Sequence, residues 1–330
     1  MNKVSLVLFT AGLFSLLALA CSGHSRSATA QDSAADSAAT FTAADFNADS
    51  AYAYVKAQCS FGPRVPATEA HAKCLAYLTS FLTKCCDTVI VQKGYVSTTG
   101  TDKKLPISNV IASFNPQNSQ RLLLLAHWDS RPWADNDPNE ANHTKPVMGA
   151  NDGASGVGVL LEVARQLSIN RPEIGVDILL VDAEDSGTSD NEESWGLGAQ
   201  YWAQHPHVTH YKPMFGILLD MVGASGARFS REYFSSAYAA SFIDEVWGVA
   251  AQLGLQSYFV NDNGGGVTDD HVFINKAGIP CIDIIDMPQG SSTGFFPQWH
   301  TVADDMSIID KTTLGAVGRT LTTLIAQYRP

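Results

Sequence analysis

Hydrophobic periodicity divides the chain after residue 40 into alternating helical and extended segments. Apolar positions with helical spacing recur in five segments, at residues 42–58, 67–84, 153–168, 236–253 and 308–327. Short, nearly continuous apolar runs lie between these segments, at residues 89–96, 109–114, 122–126, 176–181, 216–219 and 281–285. Apolar runs of this length that alternate with helices are typical of buried strands. The pattern therefore predicts an α/β fold, a three-layer sandwich whose central, mixed and mostly parallel sheet is flanked by helices.

The first 40 residues have a different pattern. Residues 4–20 form one apolar run that ends in Ala18-Leu19-Ala20-Cys21, so we expect a signal peptide over residues 1–21. This ending fits either an A-x-A cleavage site or a bacterial lipobox, in which Cys21 becomes the lipidated N-terminus, and the cysteine favours the lipobox. Residues 22–40 are rich in serine and alanine and are expected to form a tether. Residues 41–330 are then a single domain of an exported, periplasmic protein with a lipid anchor as its only membrane contact.

The composition limits the classes of function. The chain has 330 residues, of which 45% are hydrophobic and 16% charged, and this is enough apolar material for a packed core. The formal net charge is −12 at pH 7, and no cluster of lysine or arginine stands out. Because nucleic-acid binding draws most of its affinity from basic contacts to phosphate, we expect no nucleic-acid partner.

Five cysteines follow the predicted signal peptide, namely Cys59, Cys74, Cys85, Cys86 and Cys281. Cys85 and Cys86 come after a helical segment that contains Cys74. A disulfide between Cys74 and one of them, and a set of buried free thiols, are both open interpretations. The chain has no Cys-x-x-Cys pair, so a zinc site made of thiolates is not indicated.

Polar side chains follow three of the predicted strands at the point where each strand ends. His127 follows the first of these runs, Asp182-Ala183-Glu184-Asp185 the second, and Asp220 the third. In open α/β sheets ligands bind beyond the carboxyl ends of the strands. One such residue would usually be a cap or a turn residue, but three together indicate a functional site. The neighbouring acids after the second strand would repel one another without a cation or a proton, so we expect one to bind metal and another to transfer protons.

Two further residues extend this candidate site. Asp152 precedes an apolar helix in a glycine-rich stretch, and it is either the N-cap of that helix or a metal ligand. His300 is either a loop histidine or a ligand. Two carboxylates and one imidazole suit zinc and leave a fourth coordination position open for catalysis. Asp269-Asp270-His271 is expected to open another helix, with Asp269 as its cap.

Six short motifs occur in a fixed order between about residue 41 and the C-terminus. They are AHWDSRPWA at 126–134, GANDGAS at 149–155, DAED at 182–185, LDMVG at 219–223, TDDH at 268–271 and FPQWHT at 296–301. In this order they resemble the motifs of type II glutaminyl-peptide cyclotransferases (glutaminyl cyclases) of the zinc aminopeptidase-like superfamily. The first motif resembles the bacterial exported branch. The resemblance implies an aminopeptidase-like (phosphorylase/hydrolase-like) fold.

The resemblance also implies a role for each matching residue. One Zn²⁺ per chain would be held by Asp152, Asp185 and His300. Glu184 would be the catalytic acid/base, assisted by the hydrogen-bonded pair Asp270 and Asp220. The substrate pocket would be formed by Trp299, Trp195 and an uncoordinated His127, which would orient residues 128–133.

Two departures from the family pattern are visible. Animal enzymes usually have glutamate where Asp185 stands, so the metal is expected closer to the strand end. They also have a cysteine before the site histidine, where this chain has Ala126, so that disulfide is absent.

The resemblance implies a reaction on peptides and proteins with N-terminal glutamine. The α-amine attacks the γ-carboxamide of the same residue, which releases ammonia and leaves pyroglutamate, and we expect the enzyme to act as a monomer. A two-zinc aminopeptidase of the same fold is the nearest alternative, because all five of its ligands would be present as His127, Asp152, Asp185, Asp220 and His300. A non-catalytic binding domain is a third alternative, but Glu184 argues against it because a binding domain needs no proton shuttle.

Overall fold

The computed structural model describes residues 44–99 and 104–328. The expected signal peptide, the candidate lipidation site Cys21 and the tether lie outside the described residues. Among the residues that are described, no helix has both the length and the apolar character needed to cross a membrane.

Helices and strands alternate along the described part of the chain. Its α-helices are α1 (Ala48–Cys59), α2 (Glu69–Cys85), α3 (Ala154–Ile169), α4 (Leu197–Gln204), α5 (Tyr233–Gln252), α6 (Asp270–Lys276) and α7 (Lys311–Gln327). Its strands are β1 (Thr88–Ser97), β2 (Lys104–Phe114), β3 (Arg121–His127), β4 (Gly175–Val181), β5 (Phe215–Asp220), β6 (Phe229–Arg231), β7 (Phe259–Asn263) and β8 (Cys281–Ile285).

Six strands form the central sheet in the order β1-β2-β4-β3-β5-β8. Strands β4, β3, β5 and β8 are mutually parallel, whereas β2 is antiparallel to both of its neighbours. Every residue of these four parallel strands is buried, as expected for strands covered on both faces. This confirms the predicted mixed, mostly parallel sheet.

Helices cover both faces of the sheet. Side chains alternate along β3, so Leu122 and Leu124 pack in the core beneath α1, α2, α3, α5 and α7, whereas Leu123 and Leu125 pack beneath α4 and α6. The three-layer α/β sandwich is therefore confirmed.

The structure changes some predicted boundaries. The first predicted helix begins at Ala48, because the side chain of Asn47 accepts a hydrogen bond from the Ser50 amide and caps it. Helix α5 begins three residues earlier than predicted, because Glu232 caps it through two backbone amides. The pattern missed α4, β6 and β7, which have only 8, 3 and 5 residues.

The five cysteines of the described region are free thiols. Of the two open interpretations, free thiols are therefore correct and the disulfide between Cys74 and Cys85 or Cys86 is not formed, although only Cys59, Cys74 and Cys281 are buried and Cys85 and Cys86 are half-buried. Burial raises the pKa of Cys59 to about 11 and that of Cys74 to about 12, so neither thiol is a ready nucleophile.

Candidate active site

The polar residues predicted to meet at the strand ends do meet. His127 ends β3 opposite Val181 of β4, and Asp220 ends β5. Glu184 and Asp185 follow β4 in a short 3₁₀ turn. The parallel direction of these strands brings all four side chains to one edge of the sheet. Asp182 is the exception, because its carboxylate lies 2.8 Å from His71 Nε2 and accepts a hydrogen bond from the Ser108 amide instead.

Asp152, Asp185 and His300 form a compact buried group. One ligand atom from each lies within 4.8 Å of the others. His300 Nε2 is 3.1 Å from Asp185 Oδ1 and 3.8 Å from Asp152 Oδ2. Asp185 Oδ2 is buried and has no hydrogen-bond partner in the described region. Because buried carboxylate oxygens normally have partners, this free oxygen fits a site that a cation completes.

A buried aspartate holds the turn that carries Glu184 and Asp185. The two carboxylate oxygens of Asp129 accept hydrogen bonds from the amides of Glu184 at 3.1 Å and Asp185 at 3.3 Å. The turn also needs a left-handed backbone at Ala183, with φ of 55°. Left-handed non-glycine residues cost free energy and persist only where their surroundings enforce them. The two hydrogen bonds to Asp129 hold the backbone in this conformation. Asp129 of the first motif therefore positions Glu184 and Asp185 of the third motif.

The loop that carries Asp152 is held in the same way. Asp304 accepts hydrogen bonds from the amides of Asn151 at 2.8 Å and Asp152 at 3.1 Å. Gly153 is the N-cap of α3 with φ of 97°, and a Cβ there would lie 2.3 Å from the Asp129 carbonyl oxygen. Glycine is therefore required beside Asp152, which is a site residue rather than the cap of α3.

Arg131 connects three parts of the site. Its guanidinium donates two hydrogen bonds to Asp135, at 2.8 and 2.6 Å, and another to the Asp185 carbonyl oxygen at 3.0 Å. The same guanidinium lies 4.9 Å from the ring centre of Trp195 and 4.9 Å from that of Trp133. Burial would raise the pKa of Asp135, but the hydrogen bonds from Arg131 and His300 outweigh it and hold this pKa well below its usual range. Sequence reasoning missed Arg131 and Asp135, although both lie in or next to the first motif.

A cavity of about 240 Å³ opens onto these groups. Sites for drug-sized ligands typically measure about 300–1,000 Å³, so this cavity suits a single side chain. It is lined by the three members of the compact group, Glu184, Asp220, Asp269, Trp195, Trp299 and the neighbouring residues Ser189, Glu192, Met221, Gly266, Val267, Thr268, Ile285 and Phe295. Both predicted pocket tryptophans therefore lie in the cavity wall. Their rings stack near the imidazole of His300, with centroid distances of 6.0 Å for Trp195 and 3.7 Å for Trp299.

Glu184 faces the cavity from a buried position. Burial raises the pKa of its carboxyl group well above the ordinary value, and the charge of Asp269 raises it further. A carboxyl group with a raised pKa suits an acid/base that both accepts and returns a proton.

The structure corrects the assignment of Asp270. Asp269, not Asp270, lines the cavity, and both carboxylate oxygens of Asp270 are buried without a hydrogen-bond partner in the described part of the chain. The expected hydrogen bond between Asp220 and Asp270 is absent, because Asp220 Oδ1 lies 3.1 Å from His127 Nε2 instead. Asp269 has an extended backbone and caps α6, so the side chains of these consecutive residues point in different directions.

The structure also corrects the placement of His127. This residue is 1% exposed and does not line the cavity. Its Nε2 atom lies 3.1 Å from both Asp152 and Asp220, behind the cavity wall. Burial lowers the pKa of His127, but the neighbouring carboxylates of Asp129, Asp152 and Asp220 outweigh burial and raise this pKa well above the usual value. His127, Asp152 and Asp220 are also close enough to form a second candidate metal group.

Fold and site together define an α/β enzyme with an aspartate- and histidine-lined centre at the carboxyl edge of its sheet. The sequence model of the family described as peptidase family M28 matches residues 109–325. The chain belongs to this family.

Individual relatives narrow the comparison. Glutaminyl-peptide cyclotransferase of Bos taurus is 26% identical over 251 residues, which are 67% of this chain and 66% of that protein. The chain thus spans just under two thirds of that relative's length. The structure of Bacteroides thetaiotaomicron glutaminyl cyclase bound to N-acetylhistamine is 46% identical with a TM-score of 0.85, covering 87% of this chain and 100% of that chain. These matches confirm the resemblance to glutaminyl cyclases and support an enzyme of this kind.

A third comparison shows why the site must be considered separately. The structure of a Zn-dependent exopeptidase from Parabacteroides distasonis is 48% identical with a TM-score of 0.85, again over 87% of this chain and 100% of that chain. Structures described as cyclase and as exopeptidase are therefore about equally similar to this chain. Overall similarity therefore does not distinguish cyclisation from hydrolysis, and the distinction must come from the chemistry of the site.

Proposed function

We propose that this protein is a zinc-dependent glutaminyl-peptide cyclotransferase, which converts the N-terminal glutamine of peptides and proteins to pyroglutamate and releases ammonia. The observation that carries the proposal is the small cavity in which Glu184 faces the compact group of Asp152, Asp185 and His300 between two tryptophans. Its size suits one glutamine side chain. The similarity to glutaminyl cyclases of known structure supports the same reaction.

Zinc would be held by Asp152, Asp185 and His300, whose oxygen and nitrogen donors fit it and leave a position for substrate. When bound there, the ion supplies Lewis-acid polarisation of the γ-carbonyl group. The protein keeps these ligands in place through Arg131 and Asp304, which fix the Asp185 carbonyl and the Asp152 amide. Among the ligand atoms, the Asp185 Oδ2 oxygen most needs a cation, because it is buried and has no hydrogen-bond partner in the described region.

Glu184 would move the protons of the reaction. Its carboxylate accepts a proton from the attacking α-amine and returns it to the departing amide nitrogen, so that no proton is gained or lost overall. Assistance of this kind is typically worth about 10²–10⁴-fold in rate. The substrate itself contributes to the rate acceleration, because its amine and its γ-carbonyl belong to one residue and are held close enough to form a five-membered ring.

The other cavity residues would bind and enclose the substrate. Trp195 and Trp299 form apolar walls that exclude water, which is needed because water would compete with the amine as nucleophile. Asp269 and Asp220 line the same cavity as Glu184, and their carboxylate oxygens would receive the departing ammonia.

An aminopeptidase that uses two metal ions is the second candidate. The observation that favours it is the group of His127, Asp152 and Asp220, which shares Asp152 with the first group. A second ion bound there would activate water for hydrolysis of the peptide bond.

Two arylamide substrates separate these functions. We expect the enzyme to cyclise a glutaminyl arylamide, to leave a leucyl arylamide intact, to lose activity with a heterocyclic chelator and to regain it with zinc. Release of leucine would favour the aminopeptidase. Full activity in protein shown by elemental analysis to be free of metal would end the zinc proposal.

We further propose that the protein is exported to the periplasm and anchored through a lipid on Cys21. The support is the apolar run that ends in Ala18-Leu19-Ala20-Cys21. Mass spectrometry of the mature N-terminus tests this proposal, because a lipid-free N-terminus after residue 20 or 21 would contradict the anchor.

A further inference from the structure

The substrate cavity runs from buried acids to an exposed rim. Glu184 and the compact group are at most 8% exposed. Three residues of the cavity lining are exposed to solvent, and we call them the rim: Ser189, Glu192 and Gly266. Among the described residues that line the cavity there is no lysine or arginine, and Glu192 is the charged member of the rim. The mechanism described above gives Glu192 no role.

The backbone that carries Glu192 is fixed. Ser194 Oγ accepts a hydrogen bond from the Thr188 amide at 2.8 Å, and the Asn191 amide donates to the Thr188 carbonyl oxygen at 3.0 Å. The side chain of Asn191 caps the short 3₁₀ turn of residues 192–194. Gln200 of α4 donates to a carbonyl oxygen of the same turn at 2.9 Å. A ligand that binds to Glu192 therefore has to order one exposed side chain and not a loop.

The carboxylate of Glu192 is available to a ligand. Within the described residues it forms no ion pair and accepts no hydrogen bond, unlike the exposed Glu69, which pairs with Lys73 at 2.7 Å. It is thus an exposed negative charge at the entrance to a cavity whose interior is also lined by acids.

The second residue of a bound peptide lies near this rim. On the proposed mechanism the side chain and the α-amine of the N-terminal glutamine occupy the buried end of the cavity, beside Glu184. The cavity of about 240 Å³ suits this one residue. Because consecutive Cα atoms are only about 3.8 Å apart, the peptide leaves the cavity directly after its first residue. The side chain at position 2 of the peptide is therefore the one that Glu192 can reach.

A lysine or arginine side chain fits this environment. The cavity lining includes Val267 and Phe295, two half-buried apolar residues on which the aliphatic part of such a side chain can pack. Its positive end can then pair with Glu192. An acidic side chain at the same position would be repelled by Glu192 and by the acids of the interior. The net charge of −12 acts in the same direction on any approaching peptide.

We propose that Glu192 is a specificity-determining residue, which favours substrates that have lysine or arginine directly after the N-terminal glutamine. The inference rests on the proposed cyclase function, because that function places the glutamine at the buried end of the cavity. Exposed ion pairs contribute little, so the preference is graded and other second residues are still accepted. The pair is present in the bound substrate and in the transition state alike. It therefore lowers KM and leaves kcat nearly unchanged.

Cyclisation of three peptides that differ only in the second residue tests the proposal. At an ionic strength of about 0.01 M, the wild type is expected to have a kcat/KM about 2- to 5-fold higher for the lysine peptide than for the leucine peptide, as is typical of one exposed ion pair. The glutamate peptide should fall below the leucine peptide by a similar factor. Salt at about 1 M should reduce both differences, because it screens exposed charges.

Two substitutions of Glu192 locate the source of the preference. Glu192→Gln should remove most of the difference between the lysine and leucine peptides. Glu192→Lys should reverse the order, so that the glutamate peptide becomes better than the lysine peptide. The ratio of two substrates on one preparation does not depend on the amount of active enzyme, so a partly unfolded variant still gives a valid result.

Glu193→Gln is the matched control. Glu193 is the next residue and is also exposed, but it lines a separate surface depression together with Phe273 and Lys276. Its substitution changes the net charge by the same amount as Glu192→Gln. The preference for the lysine peptide should nevertheless stay at the wild-type value, because Glu193 does not line the substrate cavity.

The outcomes separate this inference from the proposed function. Cyclisation with a wild-type preference in Glu192→Gln would overturn the inference alone. An equal loss of preference in Glu192→Gln and Glu193→Gln would also overturn it, because the preference would then come from the net charge. If the wild-type protein cyclised none of the three peptides, the proposed function would fail and the inference with it.

Discussion

The Nδ1 atom of His300 lies 3.4 Å from a carboxylate oxygen of Asp135. A carboxylate at this position fixes the ring so that Nε2 faces the compact group, where it lies 3.1 Å from Asp185 Oδ1. Arg131 in turn fixes Asp135 by two hydrogen bonds. The direction of the imidazole therefore depends on residues that would not touch a bound metal.

Removal of the Asp135 charge should weaken metal binding. Asp135→Asn is expected to lower the affinity for zinc by about 10–100-fold, the usual effect of losing such a partner of a ligand histidine. Asp244→Asn is the matched control, because Asp244 also pairs with an arginine, Arg231, but does so away from the site. Competition with a chromogenic chelator measures both affinities. Equal affinities in the two variants would show that Asp135 does not support His300.

Glu184 and Asp185 are neighbours with separable roles. Glu184→Gln should retain the metal and lose about 10²–10⁴-fold in kcat, because only proton transfer is removed. Asp185→Ala should lose the metal itself, since Asp152 and His300 alone are an incomplete set of ligands. Elemental analysis and kcat, measured on the same preparations, check both expectations. Near-wild-type turnover in Glu184→Gln would contradict the acid/base assignment.

The sheet and the meeting of its strand ends could be predicted because the signals are local. Leu122–Ala126 is a run of apolar residues, and β3 is indeed buried at every position. When a buried parallel strand ends in a histidine or an acid, that side chain lies at the carboxyl edge of the sheet, where ligand sites form. The positions of His127, Glu184 and Asp220 at one edge therefore followed from hydropathy and order along the chain.

The pairing of acids could not be predicted, because it depends on side-chain direction. Asp269 and Asp270 are identical residues next to each other, and only the extended backbone at Asp269 decides which one enters the cavity. The nearness of Asp269 to Asp283, which lies inside the apolar run of β8, arises from the packing of β8 against α6, and no local pattern records it.

Gly153 should not tolerate a side chain. Gly153→Ala places a Cβ 2.3 Å from the Asp129 carbonyl oxygen at a φ of 97°, so we expect a loss of about 2–4 kcal/mol in the free energy of unfolding. Metal affinity should fall too, because Asp152 is the preceding residue. Gly248→Ala is the control, since Gly248 lies inside α5 with nothing within 4 Å of an added Cβ. It should gain about 0.5–1 kcal/mol. Urea denaturation measures both, and equal effects would contradict the steric argument.

Asp286 should make stability depend on pH. Burial raises the pKa of its carboxyl group to about 6 in the folded protein, against about 3.9 in the unfolded chain. As pH rises from 4 to 7 the unfolded chain releases this proton more readily, so the wild type loses stability through this group. Asp286→Asn stays neutral and should be more stable than the wild type by about 2–3 kcal/mol at pH 7 and by less than about 1 kcal/mol at pH 4. Urea denaturation at both values of pH measures the difference, and a constant difference would contradict the raised pKa.

The active enzyme should hold one zinc ion per chain, although two candidate groups share Asp152. Cyclisation uses the amine of the substrate as nucleophile, so it needs no second ion to activate water. His127 Nε2 lies 3.1 Å from both Asp152 and Asp220, where the positive charge of a protonated ring offsets the charge of these acids without a metal. Elemental analysis of protein purified without added zinc, read beside anomalous diffraction at the zinc edge, gives the count. Two fully occupied ions, one of them lost together with all activity in His127→Ala, would favour the aminopeptidase instead.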